Sequence, residues 1–467
     1  MAPVSRALSP VYKPRHPEGS LFYRLIEEHF ERYVREHEGR YEPRDGPLRA
    51  AISKAVEGYL ACGRLEGGFA RIRCPNCRAE HLLAFSCQTR NFCPSCQAKR
   101  SALFAEHLVT EILEPVPHRH VVLTIPRVLR GMLQRERRLL GLVARSGRDA
   151  IVASVRAILD RRDVQPGLVI SIQTFGSYAA NFHPHLHGLM ADGAFSSDGE
   201  FVPLPYFDAR LVEEVFRRRL LQRLHKAERL SEEFHRSLLG WVHSGFSAHG
   251  EQRVPAEDPQ RVEQLARYIT RAPIALDRLE AAEAGCVRVA TPPDPRTGAT
   301  GLRLDGLDWI HAITSQIPDR GQHLVRYCGW YSSRSRGLRR RRRDETVPGP
   351  AAESPGGAPP PGGPPQNPVP WAPPEATSAP PEVTPTRSGS GPPHESTRRP
   401  SRASWARLLR RIMEVDPLLC ARCGSEMKVV SVIDDPAVID AILRHIRRTG
   451  GQDPFEGPFL GRAPPEA

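Results

Sequence analysis

Residues 181–190 read Asn-Phe-His-Pro-His-Leu-His-Gly-Leu-Met, "NFHPHLHGLM", with three histidines on alternate positions and an apolar run behind them. In an extended strand side chains alternate between faces, so His183, His185 and His187 point the same way. Imidazole is a common metal ligand, and one strand face holds several imidazoles within reach of a single ion. The bland alternative is a solvated strand face whose histidines bind nothing. The rest of the chain decides between them.

Two more runs read as strands. "HRHVVLTIP" at 118–126 is β-branched and ends at Pro126, and "GLVISIQTFGS" at 167–177 directly precedes the histidine stretch. Helical spacing marks residues 20–62 through Leu21, Leu25, Ile26, Phe30 and Val34, and again residues 129–160. "ARLVEEVFRRRLLQRLHKAERL" at 209–230 is a basic amphipathic helix. "PQRVEQLARYITRAPIALDRLE" at 259–280 is a shorter one, containing Tyr268 and ended or kinked near Pro273. Residues 286–331 read as mixed strands and loops.

The composition narrows the class. The 467 residues carry a net charge of +13, which favours a polyanionic partner and nucleic acid ahead of a membrane surface. No run of about 20 apolar residues occurs, and the first residues have no apolar signal core, so a cytoplasmic protein is expected. Ten cysteines, six of them between Cys62 and Cys96, point to metal rather than disulfides. From residue 339 a five-arginine run, Arg339 to Arg343, leads into residues 345–400, which hold 18 of the 46 prolines. Such a segment buries too little apolar surface to fold and is predicted to be a disordered linker.

The cysteine spacing is the most specific local signal. "CPNC" at 74–77 and "CPSC" at 93–96 are fifteen residues apart, and two such knuckles complete a tetrahedron around one ion. Cys74, Cys77, Cys93 and Cys96 are therefore the predicted ligands of a structural Zn²⁺. Cys87 and His81, inside the loop, are alternatives or neighbours of the site. Arg90, Lys99 and Arg100 beside it suit phosphate contact as well as a solvated surface. Cys420 and Cys423 form half a site with no second knuckle downstream, to which His445 is a possible addition.

A His-apolar-His strand and a separate helical tyrosine have a coherent joint chemistry. Two histidines and one further ligand hold a divalent ion that neutralises a phosphodiester, while the tyrosine hydroxyl attacks the phosphorus. The product is a 5′-phosphotyrosine and a free 3′-OH, with the bond energy retained for rejoining.

"TFGSYAANFHPHLHGLMADGAF", "LARYITRAPIAL", "VRYCGWYSSRSRG" and the "CPNC…SCQTRNFCPSC" head resemble the HUH-type rolling-circle transposases of insertion sequences, the insertion-sequence ninety-one and common-region group. The resemblance runs from about residue 20 to 340 and resumes at "WARLLRRIMEVDPLLCARCG". It implies an α+β fold: a small N-terminal helical and zinc-ribbon module at 20–110, then an HUH nuclease domain with a central antiparallel sheet at 115–338. The basic run and disordered Pro/Gly-rich linker occupy 339–402, and a small C-terminal helical unit with the last C-x-x-C occupies 403–448. The resemblance also implies action on single-stranded DNA at element ends and target, a catalytic Mg²⁺ or Mn²⁺ besides the structural Zn²⁺, and neither membrane nor small-molecule partner. The protein is expected on the nucleoid when bound to DNA.

Residue by residue, His185 and His187 match the paired histidines and Tyr268 matches the nucleophile. The third ligand is His183 or Gln173. Two-tyrosine members carry a second tyrosine four residues after the first, where this chain has Ala272, so it reads as a single-tyrosine variant. Tyr327 and Tyr331 have that same spacing and are read as structural. Arg267, Arg271, Arg217 and Arg218 are expected to line a backbone-tracking groove, with Arg339 to Arg343 adding salt-sensitive affinity. The competing readings are a non-catalytic DNA-binding descendant of such an enzyme, and a relaxase or replication initiator with the same chemistry.

Overall fold

The computed structural model describes residues 17–176, 181–283, 285–293, 297–346, 418–420 and 422–448. Most of the expected linker and the first part of the expected C-terminal unit, residues 347–417, lie outside the described residues.

The fold mixes helices with antiparallel sheet. Its centre is a six-stranded sheet in the order Val325–Gly329, β4 (Gly167–Phe175), β5 (Phe182–Ala191), β3 (His118–Thr124) and Ser247–His249, with Arg253–Val254 pairing a second stretch of β3. The three strands read from the sequence are its middle. Their alternation sorts residues onto two faces. Leu168, Ile170 and Ile172 of β4, Leu186 and Met190 of β5, and Val121 and Leu123 of β3 share a core with helices Leu140–Ile158 and Ala209–Lys226. Gly147 allows that approach: a Cβ there would stand 2.4 Å from Cδ1 of Leu186.

The other face carries Val169, Leu189 and Ala191, packed against Val262, Leu265, Ala266 and Ile269 of helix Pro259–Ile269. That helix starts where expected, with Pro259 in the first turn and the Asp258 carboxylate accepting from the Arg261 amide. It ends at Ile269, just before Pro273.

The N-terminal helices Leu21–Arg40 and Ala50–Leu60 bury Phe22 and Tyr59 against Phe92, and this core is completed from far along the chain by Trp309, Ile310 and Ile313. Those residues lie on helix Gly306–Thr314, inside the stretch read as strands and loops. Asp305 caps it, accepting from the amides of Leu307 and Asp308, and Leu307, Ile310 and Ile313 recur at helical spacing. The N-terminal core thus draws residues from the far side of the expected boundary near 110.

The C-terminal segment, expected as a helical unit of its own, supplies a strand to a small sheet of the N-terminal region. Lys428–Ile433 pairs antiparallel with β1 (Phe69–Arg73), which pairs with β2 (Glu80–Ala84). Helix Pro436–Arg448 then lays Ile439 and Leu443 on Phe69 and Leu82. The start of the arginine run is also structured: residues Ser333–Thr346 are helical, and Arg339 stacks on Trp330 at 3.9 Å and donates to its carbonyl at 2.9 Å. None of the described helices is long and apolar enough to cross a membrane.

Candidate functional site

Strand register places the histidines. His187 of β5 lies between Ser171 of β4 and Val122 of β3, and His185 lies between Gln173 and Thr124. One row further, His120 of β3 pairs with Leu189, so His120, His187 and His185 step diagonally across one face. Their rings are linked: Nε2 of His120 is 2.9 Å from Nδ1 of His187, and Nε2 of His187 is 2.9 Å from Nε2 of His185. The Nδ1 of His185 has a carbonyl, that of His183, at 2.7 Å. A carbonyl only accepts, so this Nδ1 carries the proton and Nε2 of His185 is left as an acceptor.

His187 then has two choices. It donates from Nε2 to His185, or it donates from Nδ1 to His120 and leaves two lone pairs facing each other at 2.9 Å. The second arrangement is the one a cation would satisfy. Burial pushes His187 down to about 2 and His183 down to about 4, and lowers His185 and His120 too. The nearby cations of Arg271 and Arg130 act in the same direction on His185. Neutral imidazoles are the form that coordinates metal.

Of the two residues weighed for a third ligand, His183 lies ring to ring with His185 at 5.3 Å, and its Nε2 is buried without a hydrogen bond. Gln173 is opposite His185, and its Oε1 is likewise buried and unbonded. His120, which the sequence pattern did not single out, is the closest further imidazole to the pair. The signal was present: His118 and His120 alternate in a β-branched run, as His185 and His187 do.

Tyr268 occupies the last turn of helix Pro259–Ile269 and stands over this face. Its ring centroid is 5.6 Å from that of His187 and 6.1 Å from that of His120, with 41% of the residue exposed. A helix leaves its last carbonyls without intrahelical donors. Here side chains supply them. The amide nitrogen of Gln173 donates to the carbonyls of Tyr268 and Ile269 at 3.2 and 3.0 Å, and Ser171 Oγ donates to that of Ile269 at 2.7 Å. From the opposite side Gln97 and Ser101 donate to the carbonyl of Thr270 at 2.7 and 2.5 Å. The helix end is fixed while the phenol remains accessible. Arg271 lies over the Tyr268 ring at 4.5 Å and over Phe175 at 5.6 Å.

The other tyrosines differ. Tyr331 is fully buried with its hydroxyl 2.8 Å from Nε2 of His118, and Tyr327 is half-buried under Arg336.

Gln97 and Ser101 belong to helix Pro94–His107, whose N-terminus holds Cys93 and Cys96. These two cysteines are not grouped with Cys74 and Cys77, and the expectation of one site built from those four is corrected here. Cys93 and Cys96 join Cys62 and Cys87, with sulfur separations of 3.8 Å for Cys62–Cys93 and Cys62–Cys96 and 3.6 Å for Cys87–Cys96. Cys74 and Cys77 form the turn of the β1–β2 hairpin and meet Cys420 and Cys423 instead. The reason is reach: Cys62 and Cys87 flank the open end of the hairpin, and five strand residues put the turn roughly 17 Å away. No disulfide links the described cysteines.

Basic residues sort by sheet face. A cleft of about 1040 Å³ is lined by Arg90, Lys99 and Arg100 together with Gln173, Thr270 and Arg271. Arg267 is paired with Glu263 at 2.7 Å. Arg217 and Arg218 do not join this group. Their helix packs on the opposite face, Arg217 is bonded to Glu214 and to the carbonyls of Leu238 and Leu239, and Arg218 pairs with Glu214.

Residues 26–125 match a family described as "Transposase zinc-binding domain", and residues 167–339 match one described as "Putative transposase". The chain is 25% identical over 353 residues to "Transposase for insertion sequence element IS801" of Pseudomonas savastanoi pv. phaseolicola, covering 71% of this chain and 80% of that one. It is 26% identical over 318 residues to "Putative transposase y4qJ" of Sinorhizobium fredii, covering 63% and 78%. No solved structure matches significantly. Two family matches, together with two transposase relatives aligned along most of their own length, support an IS91-family transposase with an N-terminal zinc-binding domain.

Proposed function

We propose that this transposase is an HUH-type, metal-dependent single-strand DNA nickase and strand transferase that works through a 5′-phosphotyrosine on Tyr268 and drives rolling-circle transposition. The observation that carries the reading is the proximity of an exposed tyrosine, on a fixed helix end, to a strand-borne histidine pair whose Nε2 atoms face each other at 2.9 Å. His185 and His187 would hold a Mg²⁺ or Mn²⁺, with His183 as third donor and Gln173 as its alternative. Two facing acceptors and two further orphaned polar atoms, His183 Nε2 and Gln173 Oε1, suit such an ion. When bound, the ion neutralises charge on the scissile phosphate.

The chain's own groups do the rest. Gln173, Ser171, Gln97 and Ser101 hold the tyrosine backbone in place. The Tyr268 hydroxyl gives up its proton as its oxygen bonds to phosphorus, the bond from phosphorus to the 3′ oxygen breaks, and that oxygen takes up a proton to leave as a hydroxyl. Attack by a 3′-OH on the phosphotyrosine reverses the step and joins strands. Arg271, with Arg90, Lys99 and Arg100 in the same cleft, suits the backbone of a single strand at an element end or target. Arg267 is a weaker contributor while paired with Glu263. The reading keeps a nuclease domain over 115–338 and a zinc module over 20–110, the latter completed by residues 306–314 and 428–448, with the nucleoid as the place of work.

Incubation with single-stranded DNA bearing the element's ends and Mn²⁺, followed by peptide mapping, tests the reading. The expected result is an adduct on Tyr268 that Tyr268→Phe and His185→Ala abolish. An adduct on Tyr327 or Tyr331 overturns the nucleophile assignment, and tight DNA binding without any adduct favours a non-catalytic binding protein.

A further inference from the structure

We infer that the chain carries a second, independent zinc centre, Cys74, Cys77, Cys420 and Cys423, whose ligands come half from each end of the sequence and whose ion docks the C-terminal strand onto the zinc module. The four sulfurs lie within 4.8 Å of one another, with Cys74–Cys423 at 3.5 Å and Cys77–Cys420 at 3.4 Å. Those separations are far longer than the about 2.05 Å of a disulfide. They lie near the edge of a thiolate tetrahedron, about 3.8 Å for zinc–sulfur bonds of about 2.3 Å.

The two half-sites also share one backbone geometry. In the first, the amide of Arg78 donates to the Cys74 carbonyl at 3.1 Å, and the Cys74 amide donates to the Ala79 carbonyl at 2.8 Å. In the second, the amide of Gly424 donates to the Cys420 carbonyl at 2.8 Å, and the Cys420 amide donates to the Ser425 carbonyl at 2.9 Å. The residue after each second cysteine has positive φ, 60° at Arg78 and 70° at Gly424. Glycine adopts that conformation freely, whereas arginine does so rarely. Two knuckles of the same form, facing each other across one tetrahedron, are what a closed four-thiolate site requires. The "half a site" of the C-terminal cysteines is completed by a knuckle whose Cys77 lies 343 residues upstream of Cys420, rather than by one downstream.

Soft sulfur donors in tetrahedral arrangement select Zn²⁺, and four thiols lose their protons as it binds. Ile72, Cys74, Cys420 and Met427 form a small buried cluster around the site, with only Cys423 exposed. The docked strand has a consequence for the cleft. Leu418, Val429 and Val432 line the same cavity as Arg90, Lys99, Arg100 and Arg271, so the ion holds one wall of it in place. Only that consequence depends on the nuclease reading; the metal centre itself does not.

Native mass spectrometry of the full-length protein, without DNA, tests the assignment. The expected result is a chain with two Zn²⁺, falling to one in Cys420→Ser/Cys423→Ser, with amide exchange then accelerating at Lys428–Ile433 and unchanged in the helix Leu21–Arg40. A double variant that binds as many Zn²⁺ as the wild type overturns the second centre. Two ions found only in a dimer would overturn the docking within one chain. Tyr268→Phe, which removes the proposed nucleophile, is expected to retain both ions.

Discussion

The two faces of the central sheet are made by the same strands, yet they differ in kind. On one, Leu168, Ile170, Ile172, Leu186, Val121 and Leu123 meet two helices in an apolar core. On the other, the intervening positions hold Ser171, Gln173, His120, His185 and His187, under a helix that exposes a tyrosine. Burial on the first face stabilises without directing chemistry. On the second, each buried polar group needs a partner, and the ones left unbonded, Gln173 Oε1 and His183 Nε2, flank the histidine pair. An apolar core backs a site that is largely polar, and the former supplies the rigidity that the latter requires.

The largest expected effect separates the faces outright. Tyr268→Phe removes one exposed hydroxyl, so adduct formation is abolished while stability to urea shifts by less than about 0.5 kcal/mol. Loss of folding together with activity would mean that the tyrosine is structural. The converse change lies directly behind the site. Leu186→Ala opens a cavity against Gly147 and Leu123 and is expected to cost about 3 kcal/mol, measured as a lower urea midpoint. The protein that remains folded should still form the adduct, because Leu186 points away from the histidines. A variant that stays stable but inactive would show that the faces are coupled more tightly than their alternation implies.

A third substitution probes helix Pro94–His107 as a support for the site. Gln97 is buried, accepts from the Asn91 amide and donates to the carbonyl of Thr270, two residues past the tyrosine. Gln97→Leu is expected to slow adduct formation at saturating DNA by roughly tenfold, since small misplacement of a nucleophile is costly. Zinc content and DNA affinity should be unchanged. A fall in affinity with an unaltered rate would assign Gln97 to DNA binding instead.

What was legible in the sequence was local in period. Alternation over ten residues located the histidine strand, and a 3.6-residue period with a following proline located the tyrosine helix. The zinc signal was read from spacing alone, and spacing misled, because a knuckle says that two thiolates share an ion without saying which other two complete it. Cys62 and Cys87 are single cysteines with no spacing of their own. The partner of Cys77 lies 343 positions away, beyond any local pattern. His120 was missed because a histidine in a β-branched run looks like any strand residue until the register sets it beside His187. Arg217 and Arg218 were misplaced for a related reason: the period of an amphipathic helix fixes its apolar stripe but not which sheet face that stripe covers.

The placement of the arginines gives the smallest and most selective test. Arg271 lies beside the tyrosine in the cleft, stacked on Tyr268 and Phe175, and among the described residues no carboxylate pairs with it. Arg218 is on the far face and bonded to Glu214. Removing one cation that neutralises a phosphate of a single strand should reduce the slope of log affinity against log salt by about 0.7. Arg271→Ala is expected to show that reduction and Arg218→Ala none, in salt titrations of binding to a short single strand with Tyr268→Phe as the common background. Equal reductions would place DNA on both faces and remove the division between a structural and a functional side. A reduction for Arg218 alone would move the strand to the helical face, where the sheet offers it only an apolar core.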